Sequence, residues 1–184
     1  MKATQHLTIR HAALEDLEAL TAIEESSFTL PWPAEVISRD LTGEHGACYW
    51  VAKVDDEIVA YVGAWLVGPD LHIGSLATAP SHRRRGLGKL LMLCALRQAA
   101  ARGAEQAFLE HRASNRPAAR LYAQLGFEKL RVRRAYYADN QEDAVEMRLS
   151  GLQSQPVRLR LLQDLDFWLR DHNYDVELTD LECE

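Results

Sequence analysis

The residues with the clearest chemical reading are Arg83-Arg84-Arg85-Gly86-Leu87-Gly88-Lys89, which stand between a strand-like segment and a long helix-like one. A helix N-terminus carries unpaired backbone N–H groups and a partial positive charge, so it takes up anions, phosphates above all. Glycines at 86 and 88 let a phosphate chain approach the backbone without meeting a Cβ, and the flanking Arg and Lys side chains add charge-assisted hydrogen bonds. The spacing is neither G-x-x-x-x-G-K-S/T nor G-x-G-x-x-G after a first strand, which sets aside a nucleotide hydrolase and a dinucleotide-binding fold. A basic turn that merely starts a helix is the bland alternative; a pyrophosphate loop is the chemical one.

Such a loop works only if a strand delivers it and a helix receives it. Upstream, 71–78 reads as a strand, ended by Ala79-Pro80. Downstream, Leu87, Leu90, Leu91, Cys94, Ala95 and Ala99 share one face of a helix over about 86–102, with Gly103 at its stop. Cys94 reads as packing on that face. The chain before them supplies a strand over 6–10, a helix from Asp16 to about Phe28, and a second helix near 34–41 beyond the break at Pro31-Trp32-Pro33. Segments 47–53 and 57–66, rich in β-branched and aromatic residues around Asp55-Asp56, read as an antiparallel hairpin. Segments 105–112, 127–133 and 144–149 read as strands, and 116–125 as a helix with Pro117 in its first turn. The order predicts an α/β fold whose sheet mixes parallel and antiparallel pairs.

This domain spans residues 1–150. Beyond it, Val157, Leu161, Leu165 and Trp168 recur at helical spacing, so an added helix is expected over 156–171. The acidic remainder, holding Asp175, Glu177, Asp180, Glu182 and Glu184, reads as a frayed end. Of 184 residues, 47% are hydrophobic and 26% charged, which excludes disorder and leaves enough apolar surface for a core without disulfides. The net charge of −6 gathers in 151–184, where three Arg face eight Asp and Glu, and no general nucleic-acid surface is expected. That acidic arm would attract a basic substrate or dock a partner. Cys48, Cys94 and Cys183 are odd in number and form no metal-ligand spacing, so no metal site is expected and a reducing cytoplasm fits. The first residues show no apolar signal segment, and no apolar run approaches a membrane span.

With these residues in view, the sequence resembles the Gcn5-related N-acetyltransferases. Arg83, Gly86 and Gly88 match that family's acetyl-CoA signature, R/Q-x-x-G-x-G/A. Leu109-Glu110 with Arg112-Ala113-Ser114-Asn115, Leu121-Tyr122 with Leu125-Gly126-Phe127, Arg133-Arg134 with Tyr136-Tyr137, and Glu142-Asp143-Ala144 resemble the bacterial ribosomal-protein-alanine branch (RimI), as does Pro31-Trp32. The resemblance spans roughly 6–149. It implies a GNAT-type, mostly antiparallel sheet flanked by helices. It also implies acetyl-CoA as cosubstrate: Leu76, Ala77 and Thr78 line the pantetheine arm with backbone groups, Arg84, Arg85, Gly86, Leu87, Gly88 and Lys89 take the pyrophosphate, and Asn115 bonds the cofactor further along. An arm carrying two amides can pair with an unpaired strand edge as another strand would.

The resemblance further implies Glu110 as general base and Tyr122 as general acid, and the chemistry needs both. An α-amine near pKa 7.8 is about 3.5 kcal/mol easier to deprotonate than lysine, yet an ordinary Glu lies about 3.5 units below even that amine. Glu110 must therefore be raised by desolvation or work through a water. Trp32, Tyr136 and Tyr137 resemble the walls of a slot that admits a chain end and excludes mid-chain lysines. Each of these residues has a plainer reading. Glu110 alone would be a solvated strand residue, Tyr122 a core residue, Asn115 an N-cap, and the tyrosine pair two half-buried loop aromatics. His111 points to the other strand face from Glu110 and receives no role. The expected activity is transfer of acetyl to the N-terminal alanine of a small-subunit ribosomal protein, by direct amine attack in a ternary complex. Its rivals are acetylation of lysines or small amines, and an acetyl-CoA-sensing module that docks partners through its last helix.

Overall fold

Residues 4–43 and 46–179 are described in this computed structural model. A hairpin sets its frame. β2 (Ala47–Val54) and β3 (Glu57–Val67) pair antiparallel across Asp55-Asp56, with Asp55 at φ 53, where a short polar side chain tolerates the left-handed turn. β1 (Gln5–His11) flanks β2 and β4 (Asp70–Thr78) flanks β3, both antiparallel. α3 (Leu87–Ala101) then carries the chain to β5 (Gln106–Arg112), which runs parallel to β4 as a helical crossover requires. α4 (Arg116–Gln124) leads to β6 (Glu128–Arg133), and β7 (Ala144–Ser150) inserts between β5 and β6. The eight strands lie in the order β6-β7-β5-β4-β3-β2-β1-β8.

Alternation along the strands loads both faces of this sheet. Trp50, Ala52, Val62, Leu71 and Leu109 meet the apolar stripe of α3, with Tyr122 and Leu125 beside it. Tyr49, Val51, Tyr61 and Ala77 point the other way, against Leu20 and Ile23 of α1 (Leu17–Ser27) and Ile37 of α2 (Ala34–Leu41). Cys94 is buried in the first of these layers, and burial pushes its thiol up to about 12, as packing alone would. Among the described residues no helix is long and apolar enough to cross a membrane.

The C-terminal segment differs from the sequence expectation. α5 (Gln155–Asp171) forms as expected and packs on the first core layer through Leu161, Leu165 and Trp168. The stretch read as frayed does not stay loose: Tyr174–Leu178 form β8, parallel to β1 with Leu7 opposite Val176. Its acids alternate outward at Asp175 and Glu177, where His6 of β1 meets them at 3.3 and 3.4 Å. Backbone pairing is what orders a segment too polar to form a core by itself. Asp180, Glu182, Cys183 and Glu184 lie outside the described residues.

One buried ion pair ties β1 to the start of α1. Arg10 donates to both carboxylate oxygens of Asp16 at 2.7 and 2.8 Å, and Ala13 N adds a third bond at 2.8 Å. Burial alone would raise the Asp16 carboxyl, but the Arg10 and Ala13 donors outweigh it and the net shift is downward. Its contribution to stability is whole above about pH 4 and is lost as pH falls through the depressed folded value. Asp16→Ala removes both carboxylate bonds of Arg10, which keeps its bond to His11 O at 2.8 Å, and is expected to cost about 2 kcal/mol, read as a lower urea midpoint at pH 7. An unshifted midpoint would show that the pair contributes nothing.

Candidate active site

The sheet opens between its two parallel neighbours. β4 and β5 pair only from Asp70 opposite Gln106 to Ile73 opposite Leu109. Beyond that point β4 stays bonded to β3 as far as Thr78, and β5 to β7 as far as Arg112. The facing edges of 74–78 and 110–112 therefore have no strand partner, and Leu76, Ala77 and Thr78 lie on one of them. Unmade backbone bonds on an inner edge suit an extended ligand with its own amides.

The glycine loop leads out of this opening. Gly86, at φ 80, is the N-cap of α3, and Leu87 behind it is buried and anchors the first turn. A Cβ placed on Gly88 would lie 3.8 Å from Leu76 of β4 and 3.8 Å from Leu121 of α4, so this face looks into the groove between them. The basic side chains divide their work. Arg83 turns back to donate to Thr78 O at 2.9 Å and Ser27 Oγ at 3.3 Å, while Arg85 reaches Ser81 O at 3.1 Å. Lys89 pairs with Asp164 of α5 at 3.5 Å. Arg84, at φ 66, extends outward exposed. Three of the four cations read from the motif thus have partners within the protein, and Arg84 is the one that extends from the loop without one among the described residues. Asn115 caps α4, accepting from Ala118 N at 3.2 Å.

Glu110 and Tyr122 flank the opening from opposite faces of the sheet. Leu109 and His111 turn inward, and the buried Tyr122 ring lies 5.9 Å from that of His111 and 6.0 Å from Phe127. Burial raises the Tyr122 phenol above its ordinary value. Glu110, one pleat on, turns to the other face, where Arg133 of β6 meets it at 2.5 Å. The Tyr136 hydroxyl also bonds Glu110, which raises the Tyr136 phenol, and the Arg133 guanidinium lies 4.2 Å over the Tyr136 ring.

The tyrosine loop is fixed to the loop that carries Asn115. Glu142 accepts from Ser114 N at 2.7 Å, which with the Ser114 side chain holds its carboxyl down at about 2. Asp143 accepts from Ala135 N at 2.9 Å where the chain turns at φ 49. Arg112 sits 3.9 Å over the Tyr137 ring and pairs with Asp139 at 2.8 Å. Tyr136 and Tyr137 stand edge to face at 5.2 Å, with Tyr136 41% exposed. Trp32 is 45% exposed and packs edge-on to Trp65 of β3 at 6.4 Å.

Residues 17–127 match the model of the acetyltransferase (GNAT) family. The chain belongs to that family. Over 146 residues it is 34% identical to the ribosomal protein bS18-alanine N-acetyltransferase of Salmonella typhimurium, covering 77% of this chain and 96% of that one. It is 33% identical over 159 residues to an N-alpha-acetyltransferase of Sulfurisphaera tokodaii, covering 79% and 94%. The crystal structure of the ribosomal-protein-S18-alanine N-acetyltransferase from Escherichia coli superposes with a TM-score of 0.73 at 30% identity, over 78% of this chain and 93% of that one. The protein is thus a GNAT-type N-acetyltransferase, similar to the ribosomal-protein-alanine branch, and its mostly antiparallel sheet is the GNAT sheet.

Three residues beside this candidate site had no role in it on the sequence reading. Arg133 was noted only as part of a motif, yet it caps Glu110. His111 packs against Tyr122. Glu24 of α1, 1% exposed, accepts from Trp32 N at 3.0 Å and from the Tyr61 hydroxyl, so it anchors the Trp32 loop. Burial raises its carboxyl despite those donors. Its signal was available: a carboxylate on the stripe of Leu20 and Ile23, where an apolar residue is the rule.

Proposed function

We propose that this acetyltransferase moves an acetyl group from acetyl-CoA to the α-amine of a protein N-terminus, with the N-terminal alanine of a small-subunit ribosomal protein as main target, in the cytoplasm. One observation carries the reading: a carboxylate and a buried phenol, Glu110 and Tyr122, flank the same break in strand pairing from opposite faces. The similarity to ribosomal-protein-alanine acetyltransferases supports the choice of target. Bound acetyl-CoA supplies the thioester that a neutral amine attacks. The inner edge at Leu76, Ala77 and Thr78 pairs with the amides of its arm. The backbone of Gly86, Leu87 and Gly88, with Arg84, faces its phosphates, and the Asn115 amide adds a donor.

Glu110 draws the proton from the substrate's ammonium. Its side chain is 26% exposed and touches a guanidinium, which is not the burial that a direct base would need. Relay through a water is the route this setting leaves, with the Glu110 carboxyl group orienting that water. Tyr122 delivers a proton to the leaving sulfur from the opposite face, and the proton that the attacking nitrogen sheds on becoming an amide restores the phenol. Trp32, Tyr136 and Tyr137 wall the approach, so a chain end enters where a mid-chain lysine would have to bring two flanking segments with it. Residues 1–150 carry this machinery, and 151–179 pack on it.

Steady-state acetylation of matched peptides tests the reading. Free termini beginning with Ala, Ser, Met or Gly are compared with an N-terminally blocked peptide bearing lysine. Turnover confined to free termini, with Ala preferred, is the expected outcome. Equal or faster turnover of the blocked lysine peptide or of polyamines would replace the target class, and acetyl-CoA binding without turnover would favour a sensing module.

A further inference from the structure

The pyrophosphate loop has two sides, and only one faces the groove. On the other, a Cβ at Gly86 would lie 2.6 Å from Trp168 Nε1 and 2.4 Å from His172 Nε2. The Trp168 indole donates to Gly86 O at 2.9 Å, beside the helical bond that Leu90 N makes to the same oxygen at 3.1 Å. Trp168 is itself held: its ring stacks on His172 at 4.1 Å and on Tyr174 at 6.1 Å, the latter in β8. Its edge lies in the core, 1% exposed. The segment after residue 150 thus reaches along α3 to the turn that opens that helix, where Asp164 also holds Lys89.

We propose that the C-terminal extension is a working part of the cofactor site, with Trp168 as its positioning residue. This rests on the acetyl-CoA reading above. A glycine at φ 80 has an unusually wide choice of backbone conformations, and each alternative re-aims the peptide N–H groups that follow it. The indole N–H pins the Gly86 carbonyl, and the peptide plane it shares with Leu87 N is fixed with it. The loop then meets its phosphates already arranged, so less ordering is required on binding. β8 serves the same end: its pairing with β1 holds Tyr174 against the indole, which gives the acidic tail a structural task.

The test is Trp168→Phe in the full-length chain, which keeps an aromatic ring in the core and removes the N–H. CoA binding is measured by titration calorimetry, and kinetics with acetyl-CoA and a free-terminus peptide are run in parallel. The dissociation constant for CoA and the KM for acetyl-CoA are expected to rise together by about tenfold, the upper range for one hydrogen bond. The kcat at saturation and the KM for peptide stay within about twofold of wild type, because neither reports on the loop. Unchanged CoA affinity overturns the proposal. So does a joint loss of kcat and peptide KM, which marks general loosening of the fold. If Trp168→Phe does not fold, His172→Ala removes the stack from the outer side and is read the same way, with unchanged CoA affinity overturning the proposal. A wild-type chain that binds no CoA brings down the proposed function and this inference together; a wild type that binds and a variant that binds equally bring down this inference alone.

Discussion

Tyr122→Phe is expected to lower kcat by about 100-fold or more while the dissociation constant for CoA stays within about twofold. The substitution removes a single hydroxyl. The ring keeps its neighbours at His111 and Phe127, 5.9 and 6.0 Å away, so the inner layer keeps its packing. On the proposed mechanism, what is lost is the donor to the departing sulfur, and an unprotonated thiolate collapses back on the acetyl group it left. Burial shifts the Tyr122 phenol upward, which keeps it protonated across the working range. The sign follows: a raised acid loses its proton only at higher pH, so no alkaline loss of kcat is expected from this group below about pH 10. The same burial disfavours the charged thiolate, so proton donation is not made harder by it on balance. A kcat within about threefold of wild type would remove Tyr122 from the reaction and leave it as core.

Glu110→Gln is expected to lower kcat by about 100-fold near pH 6.5, with the loss shrinking as pH rises beyond the α-amine pKa of about 7.8. Above that pH the amine arrives neutral and its first deprotonation needs no base, a pH dependence that a merely structural defect would not reproduce. Glutamine still offers an oxygen to the Arg133 guanidinium, so the 2.5 Å contact across β5 and β6 can persist and the loop behind it stays in place. A loss that is constant from pH 6.5 to about 9.5 would assign Glu110 to holding Arg133 and Tyr136 rather than to proton transfer. The two variants together separate the faces of the site: the base variant responds to amine pKa, and the acid variant does not.

The site's rigidity comes from polar ties between loops rather than from one core. Glu142 joins the turn before α4 to the tyrosine loop, and Asp143 holds that loop's own turn. Glu24 of α1 anchors the Trp32 loop. The Trp32 loop and the tyrosine loop are thus each tied by bonded carboxylates, and on the proposed function this would fix both before substrate arrives.

Much of this protein was legible along the chain. The glycine loop names itself, since unpaired N–H groups, missing Cβ atoms and flanking cations are local properties of seven consecutive residues. Helices and strands were readable because their apolar periods are local too: α2 runs over Ala34–Leu41 as expected, and α3 ends at Ala101 before Gly103 at φ 95. Glu110, Tyr122 and the tyrosine pair came from motif resemblance, and their positions around one opening follow from the order of elements. The tertiary structure alone decided the rest. The split beyond Ile73 and Leu109 depends on where two strands stop pairing, and no residue type marks it. Arg133 closes on Glu110 from 23 positions away, and Trp168 bonds Gly86 from 82 positions away. β8 exists because β1 offers it a free edge, although its own sequence, YDVEL, is too short and acidic to stand as a strand alone. Periodicity records which face of an element is buried, but not what comes to lie against it; that depends on chain segments whose separation erases any local trace.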